Sequence, residues 1–210
     1  QADEMALLAW RMCVLRQART LNIAKEYKHG TITPAWLREL AKLSTFNEGP
    51  KLAREYLARH GITLVIEKHF KRTFLDGAAM LDNDRPIVAL TLRHDRFDNF
   101  WFALLHELAH VAKHLTPESP VFIDDLDRSN PQAVEAEADA MAQEALIPEK
   151  SWRTAKVRQT LLSEDAISFA DEISVHPSIV AGRLRHEEKN FRLLSHLIGK
   201  TGQVSQILSQ

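Results

Sequence analysis

A chain of 210 residues with 45% hydrophobic content can bury a sizeable core, either as one domain with an appendage or as two small ones. Its formal net charge of -1 argues against a general nucleic-acid binder, and no apolar run reaches the roughly 18 residues that span a bilayer. Cys13 is the single cysteine, so no internal disulfide can form; Asp3 and Glu4 stand where a secretory signal would be positive, and a cytoplasmic location is expected.

In chain order, residues 3 to 27 predict one amphipathic helix with Leu7, Leu8, Met12, Leu15, Ala18 and Leu21 on its apolar stripe, punctuated by Gly30 and Pro34. Helices from Pro34 to about Leu43 and from Pro50 to His60 follow, the latter closed by Gly61, with Trp10 and Trp36 as core or interface anchors. The period then changes. Residues 62 to 67, 73 to 81 and 86 to 92 are β-rich, and Asn83 and Asp84 mark a turn between the last two, so a small sheet is expected before residue 97. If an edge of that sheet borders a cleft, an extended substrate can add to it as a strand.

Residues 97 to 115, FDNFWFALLHELAHVAKHL, are apolar almost all round, which is the pattern of an enclosed helix. Within it stand His106, Glu107 and His110, spaced HExxH. Four residues apart on a helix, the two imidazoles share a face and can close on one metal ion. Glu107, at the edge of that face, can take a proton from water, which is the arrangement of a zinc hydrolase. The competing reading is a pair of core histidines satisfied by backbone carbonyls. Three catalytic ligands are needed. His114 lies eight residues, or roughly 12 Å of rise, beyond His106 on an unbroken helix, so a supporting or structural place is expected for it.

The stretch from Thr116 to Pro131 holds three prolines and no helical period, and reads as a surface loop that overhangs the site. A second helix over residues 132 to 147, rich in alanine and closed by Pro148, offers the third ligand. Glu135 and Asp139 share a face there with Ala138, Ala142 and Leu146. Glu135 is expected to complete the coordination and Asp139 to accept the other N–H of a ligating imidazole, while Glu137, roughly 200° around the helix, is expected in solvent; a shifted register would exchange the roles of Glu135 and Glu137. Small alanines let the two helices approach closely. Two imidazoles and a carboxylate suit zinc, and manganese is also accepted.

These two motifs, HELAHVAKH and EAEADAMAQEALIP, resemble the ImmA/IrrE family of zinc metallopeptidases, and the likeness extends loosely over residues 51 to 185. The resemblance implies a gluzincin-like site with His106, His110 and Glu135 on zinc and Glu107 as general base. It further implies a protein substrate, a helix-turn-helix repressor or antitoxin whose cleavage releases its operon. FLDGAAML and VHPSIVAGRLRHE resemble the subgroup in which this domain follows a DNA-binding domain in HigA-type regulators. No such domain is evident here, and a chain opening at Gln1 is expected to be a piece of a longer protein. By the same resemblance, His176 or Arg183 would donate to the oxyanion of the attacked carbonyl; the alternative is that His176 caps the helix beginning at Pro177.

Beyond Pro148, residues 163 to 173 and 177 to 187 predict two short helices. Ala170, Ser174 and Val180 match a helix-turn-helix only weakly, so a plain helical hairpin is favoured and direct DNA binding is not expected. Charge is uneven: residues 118 to 149 hold nine acids against Arg128, and residues 183 to 200 five bases against two acids. Such runs are by default solvated faces.

The sequence therefore predicts an α+β protein, mostly helical, with a small β-sheet preceding the HExxH helix. Residues 1 to 60 form an N-terminal helical region packed on the core, 61 to 150 the zinc peptidase core, and 151 to 210 a C-terminal helical region. Hydrolysis of a peptide bond is the predicted chemistry. The alternative is a regulatory or antitoxin binding module that keeps a structural or sensing metal and cuts nothing.

Overall fold

A computed structural model describes residues 3–21, 23–123 and 132–209. The expected α+β class is what it shows. Helix α1 (Glu4–Thr20) opens on Asp3, whose side chain accepts from the Met5 and Ala6 amides, an ordinary N-cap. Helices α2 (Pro34–Lys42) and α3 (Gly49–Arg59) follow, and then strands β1 (Thr63–Ile66), β2 (Gly77–Asp82) and β3 (Arg85–Leu90). Next come α4 (Phe97–Lys113), a short β4 (Val121–Ile123) and α5 (Gln132–Leu146). The chain ends in short helices α6 (Glu149–Thr154) and α7 (Val157–Thr160), the pair α8 (Ser163–Glu172) and α9 (Pro177–Glu187), and two small helices, α10 (Ser195–Ile198) and α11 (Gln203–Leu208).

The sheet has the order β1-β3-β2-β4. β1 runs parallel to β3; β2 pairs antiparallel with both β3 and β4. Asp82 faces Arg85 across the Asn83–Asp84 turn, with Asn83 at φ 55°, in agreement with the turn read from sequence. The sheet is covered on both sides, which is why its strands read as unbroken apolar runs rather than alternating ones. Val65, Ala78, Met80, Ile87 and Ala89 meet α1, whereas Leu64, Ala79, Val88 and Leu90 join the main core with α4.

Three expectations are corrected. Helix α1 stops at Thr20, not near residue 27, and its buried stripe is Leu7, Trp10, Val14 and Ala18; Leu8 and Met12 are exposed. Continuing that 3.6-residue stripe would reach Lys25, a charged residue that adds little to an apolar stripe. The second predicted strand begins at Gly77 rather than 73, because Arg72 and Phe74 adopt positive φ and Thr73 turns back on Phe70. Finally, the loop predicted from Thr116 to Pro131 contains β4, whose Val121, Phe122 and Ile123 extend the sheet; residues 124 to 131 lie outside the described residues.

Helix α4 is the axis of the molecule. Eleven of its residues from Phe97 to Val111 are buried, and it packs against α5, β2, β3 and α9. One hydrophobic cluster runs from Ile32 through α4 to Val204, so elements from both ends of the chain share it. Among the described residues, no helix is long and apolar enough to cross a membrane.

The position of the α1 stripe yields a direct test. Trp10 is fully buried and its indole N–H donates to the Glu67 carbonyl at 3.2 Å. Trp10→Ala is expected to cost about 3–5 kcal/mol in urea unfolding, and Met12→Ala less than about 0.5 kcal/mol. The reverse order would place the helix on its other face.

Candidate metal centre

The site forms where the second half of α4 meets α5. α4 presents His106 and His110 one turn apart, and the buried Ala138 and Ala142 bring α5 close alongside. Glu135 in the first turn of α5 then points its carboxylate at both rings. The Nε2 atoms of His106 and His110 are 3.0 Å apart, and Glu135 Oε2 lies 3.3 Å from the first and 3.6 Å from the second. Three donors around a tetrahedral zinc at about 2.0–2.1 Å would stand roughly 3.3 Å from one another. The spacing fits such an ion, and among the described residues this is a group able to hold one.

The outer nitrogens of both rings are also engaged. His106 Nδ1 lies 2.9 Å from Asp139 Oδ1, where an ionised carboxylate can only accept, so the ring proton sits on Nδ1 and the Nε2 lone pair faces the centre. His110 Nδ1 lies 2.9 Å from His114 Nδ1, and His114 Nε2 lies 3.4 Å from Glu137 Oε2. His114 is the C-cap of α4 rather than part of it. Glu137 is exposed, as expected, and its Oε2 also comes within 3.4 Å of His114 Nε2. Phe122 of β4 stacks on the His110 ring with centroids 5.1 Å apart, closing that side with apolar surface.

Glu107 is buried next to His106 at 1% exposure, and what packs against it was not foreseen from the motif. Gly77, the first residue of β2, lies directly against it: a Cβ added there would fall 2.4 Å from Glu107 Oε1 and 2.9 Å from its Cγ. The only sequence signal was a glycine opening an otherwise apolar strand, which marks a close approach without saying of what.

His176 is not brought to this group. Its Nδ1 accepts from the Ser178 amide at 3.1 Å, making it the N-cap of α9, and its backbone N–H donates to Ser44 Oγ. The ring packs on Phe97, which precedes His106 by nine residues, or about 13 Å along α4. Burial holds its imidazole below the ordinary histidine range, with Asp98 opposing in part. The capping alternative therefore describes its contacts, and the ring sits beside Phe97 at the other end of α4 from His106 and His110. Arg183 is likewise occupied: it pairs with Glu149 at 2.7 Å and Glu187 at 2.8 Å, holds the Glu149 carboxyl below its usual range, and lies over the Trp152 ring at 4.6 Å. It lines a cleft of about 530 Å³ between α4, α5 and α9 that extends to Phe102 and Asp139, both neighbours of His106. α8 and α9 pack on each other through Ala166, Phe169, Ala170 and the buried face of α9, and are joined through Ser174, which takes φ 54° where glycine is usual.

The Peptidase_M78 family model, described as the IrrE N-terminal-like domain, matches residues 58–185, more than half of the chain. The chain belongs to that family. This makes it a metallopeptidase-type domain, and the matched span runs from the end of α3 to α9, enclosing the sheet, α4 and α5. A comparison with curated proteins finds no match.

The contact between Gly77 and Glu107 can be measured without any assay of activity. Gly77→Ala is expected to cost about 1–3 kcal/mol by overpacking, and combining it with Glu107→Ala to recover most of that loss, because the clashing carboxylate is gone. Strictly additive effects in urea unfolding would show that the two residues do not touch.

Proposed function

We propose that this chain is a zinc-dependent metalloendopeptidase acting in the cytoplasm on a helix-turn-helix repressor or antitoxin. The observation that carries the reading is the convergence of His106, His110 and Glu135 at 3.0–3.6 Å, with Glu107 buried at the adjoining position. Family membership supports the peptidase class. The substrate rests on the resemblance of the HELAHVAKH and EAEADAMAQEALIP motifs to the ImmA/IrrE family.

In this reading His106, His110 and Glu135 hold the ion, and Asp139 orients His106. A zinc ion bound there would acidify water and polarise the scissile carbonyl. Glu107 accepts the proton from the attacking water and delivers it to the leaving amine, so that one carboxylate serves both halves of the reaction. Its burial against Gly77 keeps it at one position and away from bulk water. β4 is the outermost strand on its side among the described residues, and its Phe122 stacks on His110. An extended peptide adding to β4 would lie beside the ligands, bound through main-chain hydrogen bonds with little demand on sequence.

Glu107→Gln separates catalysis from binding. With a fluorogenic peptide library and one equivalent of zinc, turnover is expected to fall at least 100-fold, the scale of general-base loss, with bound zinc unchanged. Turnover equal to wild type would remove Glu107 from the reaction. A wild type that binds zinc but cuts neither the library nor any helix-turn-helix repressor offered would favour a regulatory binding module.

A further inference from the structure

We propose that the cleft of about 530 Å³ between α4, α5 and α9 is the subsite that selects the peptide, by taking a large uncharged apolar side chain of the substrate against Phe191 at its mouth. The proposal rests on the peptidase reading for its substrate, and on the cleft itself for the chemistry of the side chain. The volume lies within the roughly 300–1,000 Å³ of ligand-binding clefts. Its near end is at the metal ligands: Phe102 lies 6.1 Å from the His106 ring, centroid to centroid, and Asp139 meets the outer nitrogen of the same ring at 2.9 Å. An extended chain advances about 3.3 Å per residue. A peptide with its carbonyl at His106 therefore carries the side chain one or two residues away into this space.

The lining decides what kind of side chain fits. Its charges are matched to one another or to the metal centre: Arg96 pairs with Asp98 at 3.0 Å, Arg183 with Glu187 at 2.8 Å, and Asp139 with His106. A charged substrate side chain would lose its water there without gaining a counter-charge of its own, which is costly. What remains for a ligand is apolar surface. Leu146, Ile147 and Ile179 are buried beneath the space, and Phe102 stands at the end nearest the ligands. Phe191 is the unusual member, because it lines the cleft while 67% exposed. Its backbone is nevertheless held. Arg185 donates to the Phe191 carbonyl, the Asn190 amide donates to the Arg185 carbonyl at 3.1 Å, and the Arg192 amide donates to the Asn190 side chain at 3.1 Å. An aromatic ring kept in water on a fixed backbone has little freedom to lose on contact, which is the character of a binding anchor.

Two measurements on the full chain test this. In the first, the zinc-loaded protein is offered fluorogenic peptides that carry leucine, alanine or lysine in turn at each position beside the scissile bond. At one position leucine is expected to exceed both others in kcat/KM by about 10-fold or more, the scale of a filled apolar pocket. Phe191→Ala, a change at an exposed position, is expected to lower that leucine-to-alanine ratio several-fold with zinc content unaltered. An unchanged ratio overturns the proposal, even where both rates fall together, since the loss would then be structural. The second measurement needs neither metal nor turnover: acetyl-leucyl-leucinamide is titrated into the metal-free protein while isoleucine methyl signals are followed by NMR. Ile147 and Ile179 are expected to shift, and Ile62 and Ile87, buried elsewhere, to stay in place. Acetyl-lysyl-lysinamide is expected to move none of them. No shift at Ile147 and Ile179, or equal shifts with both probes, overturns the proposal. Should the leucyl probe seat in the cleft while wild type cuts no peptide, the peptidase reading fails and the cleft stands as a site for apolar peptide segments.

Discussion

The structure depends on how α4 buries two imidazoles and a carboxylate inside an otherwise apolar helix. Burying such groups without partners would cost several kcal/mol each, and α5 supplies partners for the imidazoles. Its acids at 135, 137 and 139 meet the histidines at 106, 114 and again 106, so that Glu135 and Asp139, one turn apart, bracket opposite nitrogens of a single ring. This requires two backbones to run close together. Ala138 and Ala142, both fully buried on the α4 side, make that approach possible. The same alanines that carry no chemistry therefore set the distance at which the chemistry can occur.

The remaining elements hold these two helices in register. β2 places Gly77 against Glu107, β4 places Phe122 against His110, and α9 closes the opposite end of α4 through His176 and Phe97. Arg38 on α2 reaches the last carbonyls of α5, Ala145 and Leu146, at 3.0 Å each, and also bonds the Ile173 carbonyl after α8. A cation at a helix C-terminus satisfies orphan carbonyls and opposes the end of the helix dipole. Burial pulls the Arg38 guanidinium below its usual range, the expected sign for a cation drawn out of water toward neutral acceptors. The N-terminal helices thereby fix the end of α5 opposite the one that carries Glu135.

What could be read from the residues, and what could not, follows from the range of the forces involved. HExxH and the Glu135–Asp139 pair are within-helix patterns, and a helix places residues four apart on one face whatever surrounds it. The turn at Asn83–Asp84 and the hairpin at 163 to 187 are similarly local. The α1 stripe was misread because that helix is apolar on more than one side: Met5, Leu8 and Met12 are exposed, and periodicity alone cannot say which face meets a sheet. β4 is three residues long, too short to show a period, and exists as a strand only because β2 offers its edge. The contact of Gly77 with Glu107 joins residues thirty apart in sequence through tertiary packing, and no local pattern encodes it. His176 shows the reverse case, in which a resemblance suggested chemistry but the first turn of α9 had a simpler use for the ring, as its cap.

The central claim is that α4 and α5 together form one metal centre, and metal content tests it most directly. Purified protein loaded with zinc and freed of excess is expected to retain close to one equivalent by elemental analysis. Glu135→Ala, a change at a half-exposed position that leaves the Ala138–Ala142 contact intact, is expected to lose most of it. Zinc retained equally by both would show that Glu135 is not a ligand. Zinc retained by neither would mean that His106 and His110 are core histidines in a family fold that no longer holds a metal.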